Sequence, residues 1–203
     1  MPRTRRTLAW ALAACAALAA ATGARVLLTV EEALALAFPG AEIQRLTVFL
    51  TLEQQQRAEE LAGGRLGSAI AHPYVATKDG TLVGTAYFES HVVRTLAETV
   101  MITVDPEGRI GRVEVLSFDE PPEYLPRAEW YRQFAGKPLD AELELRRAIR
   151  PVAGATLTAR ATTDAARRAL ALHRVLSEPG ERSAGGPPAP STDGASRAPV
   201  APE

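Results

Sequence analysis

The chain has 203 residues, a formal net charge of −1 at pH 7 and 5% aromatic residues. A balanced charge without a lysine- or arginine-rich run gives no electrostatic reason to bind nucleic acid. The single cysteine, Cys15, excludes an intramolecular disulfide and a cysteine-based metal site, and the three scattered histidines lack metal-ligand spacing.

Residues 1–24 have the pattern of an export signal. A positively charged start, Met1 to Arg6, precedes an uncharged run rich in Ala and Leu that ends in small residues. An uncleaved membrane anchor is the alternative, because the uncharged stretch continues to Ala24 and approaches the roughly 20 residues that span a bilayer. Both interpretations predict a domain outside the cytoplasm, either periplasmic or anchored on the outer face of the cytoplasmic membrane.

Residues 25–177 carry the pattern of one folded domain of ordinary size. Its first elements are predicted from periodicity and stop signals: a helix from Glu31 to Phe38, a strand from Leu46 to Thr51, and a helix from Leu52 to Ala62. Thr51 is suited to cap the second helix, and Gly63-Gly64 to end it.

Two hairpins are predicted next. Asp79-Gly80 and the turn from Asp105 to Gly108 each separate a pair of strand-like segments. These segments are Ala69–Thr77, Thr81–Glu89, Thr99–Val104 and Arg109–Phe118. Four strands in consecutive hairpins predict an antiparallel sheet.

The C-terminal half is predicted to supply helices. A proline-rich loop from Asp119 to Pro126 precedes a helix from Ala128 to Phe134, and the longest helix runs from Thr158 to Leu176 with an apolar stripe on one face. The expected fold is therefore α+β, a twisted antiparallel sheet flanked by helices. Residues 178–203 hold six prolines and four glycines and are predicted to form a disordered tail.

The clearest candidate binding site in the sequence is the segment Gly154-Ala155-Thr156-Leu157-Thr158. Small residues let a ligand approach the backbone, and the start of the following helix presents unpaired N–H groups that favour a phosphate. Arg160 would add a cation. The simpler interpretation is a loop and a helix start with Thr158 as N-cap.

This segment resembles the flavinylation motif of the FMN-binding domain family, which includes flavin-carrying components of the Na⁺-translocating NADH:quinone reductase and of the Rnf complex. Three further landmarks follow the family's order. They are the hairpin from Thr99 to Phe118, the loop Glu120-Pro121-Pro122, and the stretch from Trp130 to Lys137.

The resemblance implies FMN as cofactor, joined through its phosphate to Thr156 by a flavin transferase. It implies a site where the Thr156 loop, with Gly154, Ala155, Leu157 and Thr158, meets the loop that carries Glu120 and Pro122. It further implies an electron carrier rather than a stand-alone enzyme. Membrane redox proteins would then be its electron donor and acceptor.

Two positions depart from the family pattern. Arg150 stands where the family usually has Asp, and Ala153 where it usually has Ser or Thr. A module that binds FMN without a covalent bond, or has lost it, is therefore an alternative. A secreted structural or interaction domain without a cofactor is another.

Several nearby residues have plainer interpretations. Trp130 and Phe134 lie four apart and are predicted to be core residues. His91, Arg94 and Glu98 lie between strand candidates and are predicted to form a solvated connecting segment, although they could instead line the pocket.

Overall fold

The computed structural model describes residues 26–178. The predicted signal or anchor at 1–24 lies outside the described residues, and so does the predicted tail apart from Glu178. Among the helices of the described range, none is long and apolar enough to cross a bilayer.

The core of the architecture is a five-stranded antiparallel sheet, with a separate two-stranded pair beside it. The strands are β1 (Glu42–Arg45), β2 (Val48–Phe49), β3 (Ile70–Ala71), β4 (Tyr74–Lys78), β5 (Thr81–Val92), β6 (Ala97–Val104) and β7 (Ile110–Phe118). The large sheet has the order β1-β4-β5-β6-β7, and β2 pairs with β3. The α+β expectation is therefore confirmed, and the two predicted hairpins are β4–β5 and β6–β7.

Of the predicted strands, one is shorter in the structure and another is divided. The segment predicted as Leu46–Thr51 contains only β2, and the segment Ala69–Thr77 is interrupted at Pro73 between β3 and β4. Proline lacks the N–H that a central ladder requires, and the Pro73 carbonyl instead accepts a hydrogen bond from the Leu46 N–H at 2.9 Å. The chain changes sheets at this point.

Within residues 26–178, four helices accompany the sheet: α1 (Val30–Ala37), α2 (Leu52–Ala62), α3 (Ala128–Tyr131) and α4 (Thr156–Ser177). A 3₁₀ turn at Pro122–Tyr124 precedes α3, and another at Arg132–Phe134 continues it. Thr29 and Thr51 form complete capping boxes at α1 and α2, and Gly63 ends α2 with φ 71°.

The last helix begins two residues earlier than its sequence pattern predicts. Thr158 lies inside the first turn, and Ala155 occupies the N-cap position. The interpretation of Thr158 as N-cap is therefore wrong.

Both faces of the sheet are covered. One face packs against α2 and α4, with β6 contributing Val100 and Ile102 and α4 contributing Ala165, Ala169 and Leu170. The other face, which includes Met101, packs against α1. Strand residues alternate between the two faces, so β6 is buried on both sides. Helix α4 is thereby fixed lengthwise against the sheet, and its first turn is held near one end of the strands.

Candidate functional site

The start of α4 has an open approach to its backbone. Gly154 adopts φ +82°, which a side chain would strain, and no described atom lies within 4 Å of the position where its Cβ would be. Ala155 offers no side-chain cap, whereas α1 and α2 both have capping boxes. The first N–H groups of α4 therefore face this opening without a protein cap.

A cavity of about 180 Å³ lies at this helix start. The five motif residues line it together with Arg94 and Tyr124, which come from two other loops. We call this arrangement the three-loop site, formed by the motif at 154–158, the turn at Tyr124 and the β5–β6 loop at Arg94. Ligand pockets usually measure about 300–1,000 Å³, so the cavity suits one part of a cofactor rather than all of it.

The two motif hydroxyls differ in their surroundings. The Thr158 side chain is fully buried, and its Oγ1 donates to the Tyr124 carbonyl at 2.7 Å. Thr156 is only partly buried, and its Oγ1 donates to the Val152 carbonyl at 3.2 Å within its own loop. Thr156 therefore presents the more accessible hydroxyl, and Thr158 ties the motif to the Tyr124 turn.

Glu120 lies behind the β5–β6 loop and does not line the cavity. Its Oε1 accepts hydrogen bonds from the backbone N–H groups of Arg94, Thr95 and Leu96 at 3.1, 2.7 and 2.9 Å. The bonds from Thr95 and then Leu96 are the main cause that holds the pKa of Glu120 below its usual value. Pro122 is exposed where it begins the 3₁₀ turn. The structure thus brings the five motif residues together and leaves Glu120 and Pro122 as supports around them.

Arg94 is the cation that the structure places at the cavity. Its guanidinium carbon lies 4.5 Å from the centre of the Tyr124 ring, a cation–π arrangement that orients the side chain. Arg160, the cation expected from the sequence, is exposed and does not line this cavity. Arg94 is remote from the motif in sequence, and the structure places it at the cavity, which is the alternative that the sequence left open.

His91 and Glu98 do not form a solvated segment, and that expectation is wrong for both. They face each other on β5 and β6, and His91 Nε2 lies 2.9 Å from Glu98 Oε2. The Glu98 side chain is fully buried. The same carboxylate oxygen accepts a hydrogen bond from Thr162 Oγ1 at 3.2 Å. Arg94 does lie in the exposed connection between the strands, as predicted.

This buried polar cluster continues beneath the three-loop site. Thr162 Oγ1 also contacts the Thr158 carbonyl at 2.9 Å, so the cluster touches the first turns of α4. Burial, followed by the nearby Glu98 charge, raises the pKa of Tyr131. Within residues 26–178, the Tyr131 hydroxyl and Glu98 Oε1 are buried without a hydrogen-bond partner.

The two departures from the family pattern lie on the surface before the motif. Arg150 and Ala153 are both exposed. The Arg150 backbone is fixed by hydrogen bonds from Trp130 Nε1 to its carbonyl and from its N–H to Gln133 Oε1, both 2.7 Å. Phe134 is fully buried and Trp130 is partly buried against the core, as predicted.

The comparison with protein families gives one match. Residues 97–171 match the family model of the FMN-binding domain. The matched range begins at β6 and includes Glu120, Pro122 and the motif from Gly154 to Thr158, whereas Arg94 lies just before it. No curated protein and no solved structure matches the chain.

Proposed function

Because residues 97–171 belong to the FMN-binding domain family, with FMN as the cofactor, we propose that the protein is an exported electron carrier whose FMN is joined to Thr156 by a phosphoester. The observation that carries this proposal is the uncapped start of α4 around a partly exposed threonine hydroxyl.

The described residues fit a flavin phosphate. The N–H groups at the start of α4 and the positive end of its dipole favour an anion. The Arg94 guanidinium, in the lining of the same cavity, adds a full positive charge, and the open backbone at Gly154 lets the phosphate approach closely. FMN, when bound, supplies the redox chemistry, while the chain supplies position and electrostatics.

The covalent step requires an activated flavin phosphate, which a flavin transferase would deliver as a flavin dinucleotide. The Thr156 Oγ1 would form a bond to the flavin phosphorus as the anhydride bond to the nucleoside monophosphate breaks. The hydroxyl proton passes to the transferase or to water, and nothing is oxidised or reduced. The Val152 carbonyl, which accepts from this hydroxyl at 3.2 Å, orients it before the reaction.

The small size of the cavity supports a carrier role. A space of about 180 Å³ encloses part of a cofactor, so the isoalloxazine ring would remain accessible to redox partners. Membrane redox proteins are the proposed donor and acceptor, and the export pattern of residues 1–24 supports a location outside the cytoplasm.

Non-covalent FMN binding is the second candidate, favoured by one observation. Arg150 and Ala153 are exposed before the motif, where a transferase would meet the chain. A cation in place of an acidic residue reverses the charge there, which would weaken recognition by an enzyme adapted to Asp. The family match leaves the cofactor-free alternative without support.

Intact mass after co-expression with a flavin transferase separates the two candidates. We expect one FMN added to the wild type and to Thr156→Ser, which keeps a hydroxyl. We expect none on Thr156→Val, which keeps the shape and loses the hydroxyl. A yellow protein whose flavin leaves on denaturation would support non-covalent binding instead. An adduct that persists in Thr156→Val would contradict the assignment of Thr156 as acceptor.

A further inference from the structure

A second, larger cavity lies at the other end of α4. It measures about 650 Å³ and is lined by residues of β2, β5 and the end of α4, among others. His173, in its wall, lies 17 residues beyond Thr156 on the same helix, a distance of about 25 Å at 1.5 Å per residue. This cavity, which we call the distal cavity, is therefore separate from the three-loop site.

The distal cavity has the size and lining of a small-molecule site. Its volume falls within the range of about 300–1,000 Å³ that is typical of ligand pockets. Aliphatic and aromatic side chains form a large part of its wall: Leu46, Val48, Phe49, Val75, Leu82 and Leu176. Neutral polar side chains stand among them: Thr47, Gln54, Thr85 and Ser177. Phe49 and Leu82 are 63% and 41% exposed, so apolar surface reaches the mouth of the cavity.

A neutral polar pair is set into this wall. Tyr87 Oη lies 3.1 Å from His173 Nδ1, and the two rings meet edge to face with centroids 5.9 Å apart. Burial raises the pKa of the Tyr87 hydroxyl and lowers the pKa of the His173 imidazole. Both groups are therefore uncharged at neutral pH, and they offer a hydrogen-bonding position to a ligand.

The electrostatics of the distal cavity oppose an anion. Apart from the neutral Tyr87–His173 pair, Glu178 is the one ionisable side chain among its described lining residues. Helix α4 also ends here, at Ser177, and the negative end of its dipole faces this region. A flavin phosphate is favoured at the start of α4 and disfavoured at its end.

We propose that the distal cavity binds a neutral, ring-containing, largely apolar molecule with a hydrogen-bonding group. Its apolar walls match the rings, the Tyr87–His173 pair matches the polar group, and the described lining residues offer an anionic headgroup no cation as counter-charge. The chain's own residues beyond Glu178 match the cavity poorly, because Val200 is the one large aliphatic residue among them.

Two related fluorescent probes test this proposal on the full-length protein. N-phenyl-1-naphthylamine is neutral with one N–H group, whereas 1-anilinonaphthalene-8-sulfonate has the same rings and a negative charge. We expect saturable binding of the neutral probe, with a Kd at least ten-fold below that of the sulfonate. Absence of saturable binding, or equal affinity for the two probes, would overturn the proposal.

Substitutions at the mouth of the cavity test where the neutral probe binds. Leu82→Glu and Phe49→Glu each put a charge at the mouth, at positions exposed enough to tolerate it, and each should weaken the neutral probe at least ten-fold. Leu36→Glu is the matched control, because it makes the same kind of change at an exposed residue that does not line the cavity. It should leave the affinity for the neutral probe unchanged. Thr156→Val should also leave it unchanged, so this site is tested independently of the flavin. Unchanged binding in both mouth variants would overturn the assignment.

Discussion

The Thr158 hydroxyl donates to the Tyr124 carbonyl at 2.7 Å and so joins the start of α4 to the turn that follows Glu120. Glu120 in turn accepts three backbone N–H groups of the β5–β6 loop. Three segments distant in sequence are thereby held around the Thr156 hydroxyl. Their separate contributions can be tested one residue at a time.

Replacing Thr158 by Val should weaken the fold and leave the flavin acceptor in place. The change removes the hydroxyl and leaves a buried carbonyl without its partner, which costs about 1–3 kcal/mol. Urea unfolding should show this loss, and intact mass should still show one FMN. Loss of the adduct with unchanged stability would instead indicate that Thr158 is the modified residue.

Replacing Arg94 by Gln should weaken phosphate binding. A charge-assisted hydrogen bond contributes about 1.5–3 kcal/mol, so the Kd for free FMN, measured in the Thr156→Val background, should rise by about ten-fold or more. Arg160→Gln is the matched control, because Arg160 is exposed outside the cavity lining. Equal effects of the two substitutions would show that only general charge matters.

Gly154→Ala should separate folding from flavin loading. The positive φ at Gly154 costs an alanine about 1 kcal/mol or more, but the new Cβ meets no described atom within 4 Å. The protein should therefore fold with slightly lower stability. The methyl group would stand in the approach to the backbone, so the loaded fraction measured by mass should fall. Full loading would indicate that the cofactor does not contact this backbone.

Glu120 should make stability depend on pH in the acid range. Its folded-state pKa is held below the usual 4.5, mainly by the Thr95 N–H, so its stabilising contribution is present above that value and is lost as the pH falls through the lower, folded-state pKa. Glu120→Gln lacks this titration. The difference in unfolding free energy between wild type and variant should therefore shrink as the pH is lowered from neutral to about 3. A constant difference would contradict the role of the ionised carboxylate.

His91 and Glu98 should behave as a buried pair. Removing His91 alone leaves the fully buried Glu98 carboxylate short of a partner, and His91→Ala should lower the unfolding free energy by about 3 kcal/mol. The double replacement by leucine should recover part of this loss. Ser90→Ala, at an exposed neighbouring position, serves as the control. Equal losses in the single and double variants would contradict a coupled pair.

Local features of the sequence predicted much of this fold. Asp79-Gly80 and Thr51 act through rules that involve only a few neighbouring residues, so the first hairpin and the start of α2 were correctly located. The interruption at Pro73 was harder to predict from the sequence. The division into two strands depends on the pairing of β4 with β1 and of β3 with β2. Strand pairing is a tertiary property and leaves no short-range signal.

In the candidate site too, local features could be predicted from the sequence, whereas tertiary contacts could not. The motif around Thr156 could be recognised from consecutive residues, and the structure assembles them around one cavity. The sequence left Arg94 open between a solvated segment and the pocket lining, because its approach to Tyr124 requires the β5–β6 loop and the turn after β7 to meet. His91 was misplaced because β5 continues to Val92, beyond the predicted end at Glu89, and Glu98 because β6 begins at Ala97, before the predicted start at Thr99.

The most direct test of the central claim is the position of the flavin on the peptide that contains the motif. Trypsin should release residues 148–160, since the Arg150–Pro151 bond resists cleavage, and this peptide holds Thr156 and Thr158 as its two hydroxyl residues. After co-expression with a flavin transferase, fragment masses should place one phosphate-linked FMN on Thr156. An unmodified peptide from fully flavin-supplied cells, or a flavin on Thr158, would contradict the account.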